Sequence, residues 1–177
     1  MGSIEGEFPS AISLGGEDIF IQNYTPQGNE KWTRQFGSDQ DDFIEDAAVD
    51  SAGNTYLVYK NEQPVLEKYD MSGAQLWTQR LGKPGTQWVR LATNHENLYI
   101  LVNHNWPYSP LDAQVWKLDA AGNETWIRSF PAAWPAGPEL IATDRNGSVF
   151  VGGETEGALP GQTDSGNVDV FLFMMGP

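Results

Sequence analysis

Cysteine is absent from this chain of 177 residues, which excludes disulfides and thiolate metal centres. Histidine occurs twice, at His95 and His104, and no His-Glu-x-x-His spacing exists. The two flank one predicted strand at its opposite ends, so they are not expected to share a metal. Basic residues are scarce: 10 Lys and Arg stand against 24 Asp and Glu, a formal net charge of -14. Phosphate binding needs a basic footprint, so nucleic acid is excluded as a partner and an anionic membrane surface is disfavoured. No apolar run approaches the roughly 18 residues of a membrane span, and membrane insertion is not expected. Residues Met1 to Glu7 carry neither a basic region nor an apolar stretch and do not read as a signal peptide. The acidity is expected to keep a strand-rich protein soluble and to blunt its strand edges.

What is present is apolar and repetitive. Hydrophobic residues make up 40% of the chain and aromatics 12%, enough for a core. The 19 glycines and 11 prolines fall at intervals between apolar runs, as turns of an all-β chain do. The stretch around Trp32 (Asn29 to Phe36) recurs around Trp77 (Ala74 to Leu81) and around Trp126 (Asn123 to Phe130). The three tryptophans are 45 and 49 residues apart, and short strands repeating at that period predict propeller-like units of four antiparallel strands. The units run approximately over residues 43–82 and 87–130, with a half unit at 18–36 and an incomplete one at 138–174. About three units per chain are expected, built from two, four, four and three strands. A strand of the third type then stands at both ends, and residues 5–24 resemble residues 156–175. The pattern predicts either an excerpt of a longer array or a ring completed by self-association, a dimer being favoured. Asp50, Asp70, Asp119 and Asp144 each precede a glycine by three residues; they are expected to cap turns rather than to form calcium loops.

Several of these segments resemble the bacterial SBBP-type β-propeller repeat family. The resemblance rests on Gly15-Gly16-Glu17-Asp18-Ile19-Phe20, on Ala48-Val49-Asp50-Ser51-Ala52-Gly53-Asn54-Thr55-Tyr56-Leu57, on Tyr69-Asp70-Met71-Ser72-Gly73 and on Trp77. It extends over nearly the whole chain, though Thr93 to Asn97 departs from the Asp-x-x-Gly-Asn turn. It implies rings of four-stranded blades, commonly in secreted or cell-surface bacterial proteins. It implies no catalytic motif.

Candidate functional residues are few. Asp39, Asp41 and Asp42 crowd one loop, a carboxylate set suited to a hard cation such as calcium; the competing reading is a solvated acidic loop. Trp106, Tyr108 and Trp134 lie outside the recurring tryptophan pattern, beside Asn103, Asn105 and Asp112. Rings next to amide and carboxylate groups suit the apolar face and polar rim of a sugar, whereas satellite packing over loop ends is the plainer alternative. Trp32, Trp77 and Trp126 recur and are expected to pack between units. The leading expectation is a non-catalytic scaffold or protein-interaction module, not an enzyme and without a cofactor. The alternative is a carbohydrate-binding module.

Overall fold

The computed structural model describes residues 1–9, 13–60, 63–82, 86–95, 97–104, 113–129, 136–159, 161–163 and 165–177, with the side chains of Gln87, His104 and Ala136 left aside. Among these residues there are fourteen strands and no helix. The first sheet is β1 (Gly2–Glu5), β2 (Glu17–Tyr24) and β3 (Glu30–Phe36), in that order. The second is β4 (Phe43–Val49), β5 (Thr55–Lys60), β6 (Pro64–Tyr69) and β7 (Gln75–Arg80). The third is β8 (Thr86–Thr93), β9 (Asn97–His104), β10 (Gln114–Asp119) and β11 (Glu124–Ser129). The fourth is β12 (Ala136–Thr143), β13 (Val149–Thr155) and β14 (Asp169–Met175). Every neighbouring pair is antiparallel, so each sheet is a meander in chain order.

One strand exceeds the sequence expectation. Gly2–Glu5 forms β1, in register from Gly2↔Phe20 to Glu5↔Glu17. Only Ile4 in that segment is a strong strand former, so β1 exists by pairing with β2 rather than by propensity.

The sheets bury their faces against one another in sequence. Ile19 and Ile21 of the first sheet meet Leu57 and Tyr69 of the second. Tyr56, Val58 and Leu66 of the second meet Val89, Leu98 and Ile100 of the third. Tyr99, Leu101 and Val115 of the third meet Val149 and Val151 of the fourth. β4 packs beside β8 and β8 beside β12, so the leading strands of the last three sheets are neighbours. Each of these leading strands breaks register near its start: between Ile44 and Asp46, between Thr86 and Trp88, and between Pro138 and Leu140. Such a bulge bends the strand and sharpens its local twist.

The recurring tryptophans fasten each sheet to the next. Trp32 on β3 donates from Nε1 to the Met71 carbonyl at 3.1 Å, and Trp77 on β7 donates to the Ala120 carbonyl at 3.3 Å. Each acceptor belongs to the Asp-x-x-Gly turn of the following sheet. The turn glycine makes room for the ring: a β-carbon built on Gly73 would fall 2.8 Å from the Trp32 ring. Arginines two residues on repeat the fastening, Arg34 to the Gly73 carbonyl and Arg128 to the Gly176 carbonyl, both at 3.0 Å.

Candidate functional site

Of the six ligand candidates, Trp106, Tyr108, Trp134, Asn105 and Asp112 lie outside the described residues. Asn103 is described: it is buried on β9, opposite Trp88 of β8, and its Oδ1 has no hydrogen-bond partner. It lines a cleft of about 300 Å³ between the third and fourth sheets, together with Trp88, Glu139, Glu154, Thr155 and Glu156. Glu139 sits at the β12 bulge, and the Arg90 guanidinium lies 5.4 Å from the Trp88 ring centre. Sequence reasoning missed this cleft because its walls come from strands whose inter-sheet contacts carry no local signal.

The acidic loop divides in two. Asp39 and Asp41 are exposed, whereas Asp42 is buried and accepts from the Ser38 amide at 2.6 Å and the Ser38 hydroxyl at 2.9 Å. Among the described residues, no three acidic or histidine groups converge as a metal site. The buried neighbour of this loop is Asp18 on β2. A β-carbon on Gly37 would lie 2.4 Å from Asp18 Oδ1 and 2.9 Å from Asp42 Oδ2, so both carboxylates reach one point. Each keeps one oxygen without a hydrogen-bond partner.

A third feature arises from the duplicated ends. Residues 2–24 align without a gap on residues 153–175, so the β1–β2 hairpin is repeated by β13–β14. The likeness extends to the bonds: Asp18 Oδ2 accepts from the Leu14 amide at 3.1 Å, and Asp169 Oδ2 accepts from the equivalent Ser165 amide at 2.8 Å. Yet the two hairpins are covered differently. Ile19 and Ile21 are 0% and 6% exposed beneath the second sheet. Their counterparts Val170 and Leu172 are 84% and 72% exposed, and Met174 beside them 68%. Leu140, opposite the same row across Gly152, is also 68% exposed. The outer face of the fourth sheet is therefore an uncovered apolar row.

Electrostatics around the sheets is governed by burial. Burial is the largest influence raising the Tyr69 and Tyr59 phenols, with Glu67, which accepts a hydrogen bond from each, adding to it. Burial also raises the Glu45 carboxyl, partly offset by Lys60 and by Arg90, whose guanidinium is 3.8 Å away.

No family model matches the chain, and no curated protein matches it. Among solved structures, a protein of unknown function from Bacteroides caccae is similar over 72% of this chain and 43% of its own, at 18% identity and a TM-score of 0.45. Synechocystis apocarotenoid oxygenase is similar over 95% of this chain and 43% of its own, at 16% identity and a TM-score of 0.46. A chimera of that oxygenase with RPE65 is similar over 88% of this chain and 41% of its own, at 16% identity and a TM-score of 0.47. The chain thus spans about two fifths of the length of these structures. The likenesses are weak, and no activity passes from them to this chain. They do correct one expectation: with oxygenases among the similar structures, the assignment of the chain as not an enzyme is withdrawn.

Proposed function

We propose that the protein is a scaffold of propeller-type units that joins copies of itself into a ring and presents its sheet-end loops to a protein partner. One observation carries the reading: the hairpin whose apolar row is buried in the first sheet recurs in the fourth with that row uncovered. Isolated exposed apolar residues are ordinary, but a contiguous row on one sheet face marks a contact surface. The row matches in kind the surface that the second sheet already covers, so a second copy supplies a suitable cover. Among the described residues no further strand lies beside β14, so its edge adds a backbone template next to the row.

Light scattering on a sizing column, across a dilution series, tests this. The expected result is a dimer in the wild type and a monomer in Val170→Lys/Leu172→Lys, with circular dichroism unchanged because neither side chain is buried in the single chain. A wild type that stays monomeric at every concentration overturns the reading.

A further inference from the structure

We infer that β14 is the seat of β3 from a second copy of this chain, with Gln35 of that copy filling a socket in the C-terminal hairpin. The inference rests on the self-assembly reading and adds the strand, its register and its anchor.

In the first sheet, Gln35 on β3 locks the N-terminal hairpin. Its Oε1 accepts from the Phe8 amide at 2.9 Å. Its Nε2 donates to the Gly6 carbonyl at 2.6 Å and to Asp18 Oδ2 at 2.9 Å. The gapless alignment maps Phe8, Gly6 and Asp18 onto Leu159, Gly157 and Asp169. In the fourth sheet these three residues border a cavity of about 450 Å³. Among the described residues, no outer strand stands beside β14 to fill it. The socket is therefore present twice, with a glutamine seated in one of them.

The occupant follows from the side chains. The outer strands β3, β7 and β11 are aligned by Trp32, Trp77 and Trp126. Three residues on, they carry Gln35, Arg80 and Ser129 respectively. Only Gln35 both donates and accepts through a planar amide, as this socket requires. β3 is also the strand that already pairs with the N-terminal hairpin, in the register Ile19↔Phe36, Phe20↔Gln35 and Ile21↔Arg34. Transferred to the second hairpin, that register sets Phe171 opposite Gln35 and Leu172 opposite Arg34 of the second copy. The fourth sheet then has four strands, like the second and third.

The exchange trades like for like on the hairpin. Val170 and Leu172 take the places that Ile19 and Ile21 vacate against the second sheet of that copy. The gain lies in β12, which brings a leading strand to an interface where the first sheet has none, covering Leu140. Because β2 must leave β3 before β14 replaces it, the exchange is slow.

The chain has no cysteine, which makes crosslinking clean. Leu172→Cys and Arg34→Cys variants, unfolded together, refolded and oxidised, are expected to give a mixed disulfide in the dimer fraction. Neither variant alone gives a disulfide-linked dimer. A second pair on the opposite side of the strands, Phe173→Cys with Thr33→Cys, guards against loss of folding in the first. A dimer by light scattering with no mixed disulfide in either pair overturns the exchange while leaving self-assembly intact. A monomer overturns both.

Discussion

The smallest repeated device in the protein is an aspartate folded over its own turn. Asp70 Oδ1 accepts from the Ser72 amide, the Ser72 hydroxyl and the Ala74 amide, at 2.7 to 2.9 Å. Asp119 and Asp144 repeat the pattern with Ala121 and Asn123, and with Asn146 and Ser148. These bonds favour the charged form. The Ser72 side chain chiefly lowers the Asp70 carboxyl, the Asn123 side chain that of Asp119, and the Ser148 amide that of Asp144. A depressed folded value gives stability that is present above the unfolded carboxylate range, near pH 4, and lost as pH falls through the folded value. Denaturant midpoints are therefore expected to fall between pH 5 and 2 in the wild type. Asp70→Ala is less stable at pH 7, and its deficit shrinks across that window. A deficit that stays constant from pH 7 to 2 would show that the turn charge does not matter. These turns were legible in the sequence because donor and acceptor lie two to four residues apart. The burial of Asp18 and Asp42 was not legible, because it needs the segment at Gly15 and Gly16 to close on the loop at Ser38 to Asp42.

At the scale of the element, a strand is held less by its own sequence than by what the next sheet offers it. Gly73 and Gly28 both adopt positive φ, 82° and 81°, in turns of the same kind. They differ in surroundings: nothing lies within 4 Å of a β-carbon on Gly28, whereas the Trp32 ring lies 2.8 Å from one on Gly73. Gly28→Ala is expected to cost only the left-handed backbone penalty, about 1–2 kcal/mol. Gly73→Ala pays that and displaces the ring from its seat, adding roughly 1–3 kcal/mol of overpacking. Chemical denaturation of the two variants reads the difference directly, and equal losses would mean that Trp32 is not fastened there. The recurrence of the tryptophans revealed a repeated contact, but the sequence did not say that the contact is with the following glycine turn. That partner lies some forty residues further on and is identified only by the stacking of whole sheets. β1 was missed for a related reason, since Gly2–Glu5 is a strand only because β2 presents an edge to it.

For the whole molecule, the balance lies between apolar cover and charge. The repeat period indicated strand meanders of this kind, and the duplicated ends were visible in the sequence. Only the stacked sheets revealed that one duplicate is covered and the other bare. Exchange between two copies covers Val170 and Leu172 in the places of Ile19 and Ile21 and adds the cover of Leu140, but it also joins two chains that each carry a formal charge of -14. Hydrophobic burial is insensitive to modest salt, whereas repulsion between surface charges is screened over about 10 Å at 0.1 M and about 3 Å at 1 M. Self-association is thus expected to tighten as sodium chloride rises from about 0.02 to about 0.5 M, by roughly tenfold, the equivalent of about 1.4 kcal/mol. Sedimentation velocity at fixed protein concentration, after incubation long enough for the slow exchange, measures it. Val170→Lys/Leu172→Lys separates the two contributions: it lowers the repulsion yet stays monomeric at every salt concentration, because the row no longer gains by being covered. If salt instead dissolved the wild-type dimer, the interface would be held by opposite charges, and the apolar row would not be its basis.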